Sequence, residues 1–243
     1  MRKWDPASII YEVGAEQSLH FQQVFVAARL LGLVSESTKL IHTAHGLYLA
    51  PDGKKFSTRK GKTIKLEEVL NEAIERAKKL GNKDANVAQE IGIGAIKYFD
   101  LMHSVQSNVV FDWEKIMNME GNSGPYLQYT VARCNSVVSK GLTLLQGRTL
   151  TGLQGLTLTE QELSVLRKLS QFQEVIVTAA KTYSPNILCN YLYELASKFN
   201  TFYNKCKIIE GENQEFRLLL TKSTGQILKK GLNLLGIESP EKM

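Results

Sequence analysis

The stretch Gly121–Arg133, GNSGPYLQYTVAR, interrupts the pattern of this 243-residue chain. The predicted strands lie before it, within the first fifty residues, and the apolar residues after it recur at helical spacing. Gly121–Gly124 interrupts regular structure, and Pro125 stands where a first helical residue is expected, since proline needs no amide donor there. The sequence therefore predicts a domain boundary between residues 120 and 121, giving domains 1–120 and 121–243.

Upstream of this boundary, the first fifty residues have the pattern of one βαβ unit. Ile9–Val13 is rich in strand formers, Glu16–Leu31 has helical spacing, and Leu40–Leu49 is again extended. Gly32 stands where a helix-ending glycine is expected. One such unit supports an α/β sheet but cannot complete one, so we expect a partial α/β domain.

The rest of the chain is predicted to be helical. Asp84 and Asp112 can each cap a helix, and Thr159 with Glu162 forms a capping box. Residues 146–157 form a predicted loop rich in glycine and threonine. The expected helices cover residues 69–77, 84–99, 112–119, 125–145, 159–182, 184–202 and 214–235.

Composition limits the class of protein. The net charge of +6 permits a polyanionic partner without establishing one. No apolar run approaches the ~20 residues that a membrane span requires, and the start of the chain lacks the apolar core of a signal peptide. Three widely spaced cysteines make no disulfide framework. We therefore expect a cytoplasmic protein with no membrane partner.

A basic loop lies between the second predicted strand and the next helix. It could bind a polyphosphate, or it could be an ordinary solvated surface loop. It is not a P-loop, because seven residues separate Gly53 from Gly61 where that motif has four. Its cations are Lys54, Lys55, Arg59, Lys60, Lys62 and Lys65.

Six stretches of the chain, in order, resemble the arginyl-tRNA synthetase family. KKFSTRKG, residues 54–61, is similar to the KMSKS loop of class I synthetases in its arginyl form. The other matches are VGAEQSLHFQQVF (13–25), IGIGAIKYFDL (91–101), GNSGPYLQYTVAR (121–133), and, toward the C-terminus, YLYELASKFNTFYNKCKI (191–208) with GLNLLGIESPEKM (231–243). The resemblance implies a mainly α fold: a Rossmann-like α/β remnant of a class I catalytic domain, followed by an all-helical anticodon-binding bundle.

The resemblance also implies an activity and its substrates. Arginine and ATP, with Mg²⁺ on its phosphates, would give arginyl-adenylate, and the arginyl group would pass to arginine tRNA. Matching to the family motifs assigns Lys55, Ser57 and Arg59 to the ATP phosphates, and Gln17, His20 and His42 to the arginine pocket.

The chain departs from the family pattern in two ways. Thr58 replaces the second lysine of the general loop motif, as arginyl enzymes often have it. The HIGH motif is absent, so we expect this chain alone to form no arginyl-adenylate and to need the missing N-terminal half as a partner. The alternative is a non-catalytic RNA-binding module derived from a synthetase.

Aromatic and basic residues of the helical domain are candidates for tRNA binding. Tyr126, Tyr129 and Arg133 stand at i, i+3 and i+7, a spacing that also suits core residues. The predicted core stripe contains Tyr191, Phe199 and Phe202. The remaining tRNA candidates are Tyr193, Tyr203, Arg217 and the terminal Met243. No metal site is predicted, because His42 and His45 fall on opposite faces of a strand.

Overall fold

A computed structural model describes residues 6–50, 53–54, 65–81, 84–145 and 157–243, which separate into two units. Unit 1 contains the described residues up to 54 together with His103–Phe111. Unit 2 contains those from 65 to Met102 and from Asp112 to Met243. The two helices before residue 103 therefore belong with the downstream helices, although they precede the predicted boundary in the sequence.

Unit 1 contains the predicted βαβ unit. Strands β1 (Ser8–Gly14) and β2 (Lys39–His45) pair in parallel, with Ser8 opposite Lys39. A 3-10 turn (Ala15–Gln17) leads into α1 (Ser18–Leu30), and Gly32 has the expected positive φ of 63°. The prediction of strand, helix and strand is confirmed.

A second parallel pair in unit 1 has a partner that the sequence did not predict. Strand β3 (Tyr48–Leu49) pairs with β4 (Val109–Val110). The predicted extended stretch is interrupted at Gly46, whose backbone lies against Ser107 so closely that a Cβ would collide with the carbonyl oxygen there.

The described part of unit 1 has a thin core. Its buried side chains are those of Phe21, Thr38 and Val109. Phe21 packs on Tyr11, with ring centroids 5.1 Å apart, whereas Leu30 is 83% exposed. Such exposure of large apolar residues fits a sheet that one βαβ unit leaves incomplete.

Unit 2 is helical. Its helices are α2 (Leu66–Lys79), α3 (Ala85–Leu101), α4 (Trp113–Ile116), α5 (Gly124–Leu145), α6 (Glu160–Ser170), α7 (Phe172–Thr182), α8 (Pro185–Lys205) and α9 (Gln214–Leu234). In the described part of the chain, no helix is both long and apolar enough to cross a membrane.

The predicted helix caps are confirmed. The Asp84 carboxylate accepts hydrogen bonds from the amides of Asn86 and Val87, and Asp112 caps α4 in the same way. Thr159 caps α6 through the predicted box. The prediction of a single helix over 159–182 is wrong, because the chain turns at Gln171 between α6 and α7.

Helix α8 lies at the centre of the helical core. Tyr191, Phe199 and Phe202 are buried as predicted, among α5, α6, α7 and α9. The three cysteines, Cys134, Cys189 and Cys206, are also buried and unpaired.

Helix α9 buries two polar residues together with its apolar ones. Thr221 and Thr224 are fully buried, whereas Leu234 near the end of the helix is 56% exposed. Their hydroxyls can be buried because each donates to a carbonyl four residues back, that of Arg217 or Leu220.

Candidate functional site

The three residues assigned to the ATP phosphates, Lys55, Ser57 and Arg59, lie outside the described residues. The structure describes the start of that loop. Gly53 has a φ of 75°, and the Ala50 amide donates to the Lys54 carbonyl at 2.9 Å. On the far side, Lys65 is the N-cap of α2. The assignment of the three phosphate residues therefore stays a prediction.

The residues assigned to the arginine pocket lie on β2 and at the start of α1. His42 is half-buried, stacks on Phe21 at 4.7 Å, and donates from Nε2 to the Val13 carbonyl at 2.9 Å. His20 is exposed, and its ring centroid lies 5.6 Å from that of the same Phe21 ring. Gln17 is also exposed, directly before α1. Their roles toward arginine stay predictions.

Four of the predicted tRNA residues line one open pocket in unit 2. We call it the arginine–tyrosine pocket, and its volume is about 670 Å³. Arg133 lies between two tyrosine rings, with its guanidinium carbon 4.8 Å from the centroid of Tyr129 and 4.9 Å from that of Tyr203. The C-terminal Met243 lines the same pocket. Both tyrosines are more than one-third exposed, so their rings are accessible to a ligand.

An asparagine that the sequence did not single out holds this arrangement. Arg133 Nη1 donates to Asn200 Oδ1 at 2.6 Å. Asn200 Nδ2 in turn donates to the Tyr126 hydroxyl at 2.9 Å, and the Tyr126 ring packs on Tyr193 at 5.8 Å. Tyr126 and Tyr193 are half-buried and do not line the pocket, and their predicted contact with tRNA stays a prediction.

The prediction that Arg217 lies on the tRNA-binding surface is wrong. Its side chain is buried, and Nε donates to the buried carboxylate of Glu162 at 2.7 Å. Nη1 donates to the Lys207 carbonyl at 2.9 Å. Lys207 lines the arginine–tyrosine pocket, so Arg217 holds a wall of the pocket from inside the bundle.

Cations surround the mouth of this pocket. Lys140 on α5 and Lys207 after α8 are both exposed lining residues. With Arg133, the lining carries three formal positive charges and no acidic side chain of its own, although Glu210 lies 3.7 Å from the Lys207 amine. Stacking rings beside cations are suited to a nucleic-acid strand.

Family models match both parts of the chain. One described as "tRNA synthetases class I (R), catalytic domain" matches residues 2–113. One described as "DALR anticodon binding domain" matches residues 127–243, which include the whole arginine–tyrosine pocket. An arginine–tRNA ligase of Saccharophagus degradans is 42% identical over 97% of this chain, and that of Sodalis glossinidius is 41% identical over 97%.

The chain belongs to the arginyl-tRNA synthetase family.

Solved structures of arginyl-tRNA synthetases agree with this assignment. The enzyme of Thermus thermophilus matches with a TM-score of 0.81 and 28% identity over 96% of the chain. The enzyme of Plasmodium falciparum matches with a TM-score of 0.80 and 26% identity over 98%. The mainly α fold, with a class I catalytic portion and a helical anticodon-binding domain, is confirmed.

The match covers part of each relative. The chain spans 42% of the length of the first two curated relatives and 41% of the two solved chains. The residues described in unit 1 therefore correspond to one part of a synthetase catalytic domain.

Proposed function

We propose that the chain supplies the tRNA-binding bundle and part of the active site of an arginine–tRNA ligase. The observation that carries the proposal is Arg133, fixed between Tyr129 and Tyr203 in an open pocket that Met243 also lines. The names of the relatives favour a ligase over a non-catalytic RNA-binding module.

The pocket can take a single unpaired base of arginine tRNA. A base can stack on an exposed tyrosine ring, while the guanidinium edge of Arg133 donates hydrogen bonds to base or phosphate oxygens. Asn200 fixes the guanidinium by accepting a hydrogen bond from one of its N–H groups, so little side-chain entropy is lost when the base binds.

Unit 1 supplies an incomplete arginine site in this proposal. Gln17 and His20 are exposed, and a site that holds a small cation must enclose it to gain from hydrogen bonding in a low dielectric. We assign Lys55, Ser57 and Arg59 to the phosphates of ATP by their motif. Residues outside this chain complete the pocket, so we expect no arginyl-adenylate from these 243 residues alone.

ATP enters such a reaction with Mg²⁺, and we assign the ion no ligand from the described part of the chain. Among those residues, no three His, Cys, Asp or Glu side chains gather to hold a metal ion. The described residues contribute positioning of arginine through Gln17, His20 and His42, and positioning of tRNA through the pocket.

Binding of arginine tRNA by Tyr203 variants of the full chain tests the proposal. Base–aromatic stacking contributes about 1–3 kcal/mol, so Tyr203→Ala should raise the Kd for an arginine tRNA transcript roughly 5- to 150-fold. Tyr203→Phe keeps the ring and should stay close to the parent chain. Fluorescence anisotropy at low salt measures both.

Val177→Ala is the control, because Val177 is also an exposed apolar residue but lies on α7, away from the pocket. It should leave the Kd unchanged. An equal Kd for Tyr203→Ala and the parent chain would remove the pocket from the tRNA interface, and absence of binding at low salt would overturn the proposed function.

A further inference from the structure

A second open groove runs between α5 and α9, with a volume of about 680 Å³. Its floor is formed where the two helices approach closely: a Cβ on Gly225 would lie 2.8 Å from the Cβ of Cys134. Its rim carries lysines of both helices and of the C-terminal segment. We call it the lysine groove, defined by Lys140, Lys222, Lys229 and Lys242.

The groove concentrates unpaired positive charge. Its lining has four lysines and one carboxylate, that of Glu241. All four lysines are exposed, and within the described residues none has a carboxylate within ion-pair distance. The carboxylate of Glu90, which does not line the groove, interacts electrostatically with Lys229.

Some lysines elsewhere in unit 2 have a carboxylate partner at short distance. Lys168 lies 2.5 Å from Glu194, and Lys78 lies 2.6 Å from Glu75. Four like charges around one groove repel one another, and an anion that binds there relieves this repulsion. A lysine amine is a compact point charge with three donors, which suits phosphate oxygens more than planar base edges.

The groove adjoins the arginine–tyrosine pocket. Ser136 and Lys140 line both, and the C-terminal residues divide between them: Lys242 lines the groove and Met243 lines the pocket. A strand with one base in the pocket would therefore have its neighbouring phosphates over the groove. On α9, Lys222 and Lys229 are seven residues apart and share a face, so they follow the groove along two turns.

We infer that the lysine groove binds the sugar–phosphate backbone of the RNA strand whose base enters the arginine–tyrosine pocket. This inference rests on the proposed function and deepens it, because it assigns the sequence-independent part of RNA binding to a separate surface. The groove contributes to binding any RNA strand that the pocket accepts, whereas the pocket selects the base.

The salt dependence of RNA binding tests the inference. For the full chain and an arginine tRNA transcript, log K falls linearly with log salt concentration, by about 0.7 per phosphate contact in a single strand and about 0.9 in a duplex. The double variant Lys222→Ala/Lys229→Ala should reduce the magnitude of this slope by about 1.4 to 1.8. Anisotropy titrations from about 50 to 200 mM salt measure the slope.

The double variant Lys181→Ala/Lys230→Ala is the matched control. It removes the same charge from exposed helical positions, one of them on α9 itself, and neither residue lines the groove. Its slope should equal that of the parent chain. The pair Lys140→Ala/Lys242→Ala provides a second test from the opposite rim, should the first variant lose helicity by circular dichroism.

Three outcomes separate the two proposals. A smaller slope in the groove variants alone supports the groove. An unchanged slope, or an equal reduction in the control, overturns the groove while the effect of Tyr203→Ala stands. If the parent chain binds no RNA at low salt, the proposed function falls and the groove falls with it.

Discussion

At the scale of single residues, Glu162 and Arg217 connect the helix cap of α6 to the wall of the pocket. One carboxylate oxygen of Glu162 accepts from the amide and the hydroxyl of Thr159, at 2.6 and 2.8 Å. The other accepts from Arg217 Nε at 2.7 Å. Both side chains are buried, so removing either one leaves the other as an unpaired buried charge.

Stability in acid should depend on Glu162. Burial alone would raise the pKa of this carboxyl, but the hydrogen bonds from Arg217 and Thr159 outweigh burial and hold its pKa below the ordinary value. The stabilisation is therefore complete above the unfolded-state value of about 4.3 and is lost as the pH falls through the lower folded-state pKa. Urea unfolding at a series of acidic pH values measures this loss.

Glu162→Gln should lower the free energy of unfolding near neutral pH by about 3–5 kcal/mol, since Arg217 loses its charged partner. It should also flatten the acidic part of the pH profile. Glu174→Gln, at an exposed position on α7, is the control and should keep the parent profile. If the Glu162 and Glu174 variants show the same profile, the pair does not produce the acid sensitivity.

At the scale of elements, the packing of α2 on α3 depends on Gly92. A Cβ at this position would lie 2.7 Å from the carbonyl carbon of Ala73 and the amide nitrogen of Ile74. These are backbone atoms, which cannot move aside as the end of a side chain can. Ala73 and Ala77 are fully buried at the same crossing.

Gly92→Ala should therefore destabilise the chain, although alanine is the better helix former by about 1 kcal/mol. Overpacking costs about 1–3 kcal/mol where the surroundings can shift and more where backbone must move, so we expect a net loss. Thermal unfolding compares this variant with Gln89→Ala, an exposed position on α3 that should change stability by less than about 0.5 kcal/mol. An increase in melting temperature for Gly92→Ala would contradict the close approach of α2 to α3 at this glycine.

Elements with a local signal were predictable, and those that depend on distant contacts were not. The caps at Asp84 and Thr159 follow from residues within one turn. The break at Gln171 has no such signal. Its φ of −80° and ψ of −11° are close to helical and open to any residue type, so the turn requires no glycine or proline that would mark it. Strand β4 consists of two residues and pairs with a strand about sixty residues earlier, so no local pattern indicates it.

The candidate site was predictable to a similar extent. Tyr129, Arg133, Tyr203 and Met243 are predicted residues that the structure brings into one pocket. Asn200 was not foreseen, because a polar residue between Phe199 and Phe202 has no spacing that marks it as a bridge to Arg133. Arg217 was misplaced, because its burial depends on Glu162, 55 residues away in the sequence.

At the scale of the whole molecule, the two units differ in how much core each contains. Helix α8 alone buries eight residues, whereas the described part of unit 1 buries three side chains. Within those residues β1 pairs with β2 along one edge, and the apolar side chains of Leu19, Val26 and Leu30 are exposed. Segments with few buried contacts open at a lower free energy than the global one.

Hydrogen exchange of the full chain should therefore differ sharply between the units. Opening free energy scales with buried apolar area, so amides of β1 and β2 should exchange orders of magnitude faster than those of α8. Exchange measured by mass spectrometry on peptides from residues 8–14, 39–45 and 191–202 gives the comparison, with the α2–α3 helices as an internal reference in unit 2. Equal protection of β1 and α8 would mean that unit 1 is stable as it stands, and the proposal that residues outside this chain complete its arginine site would lose its physical basis.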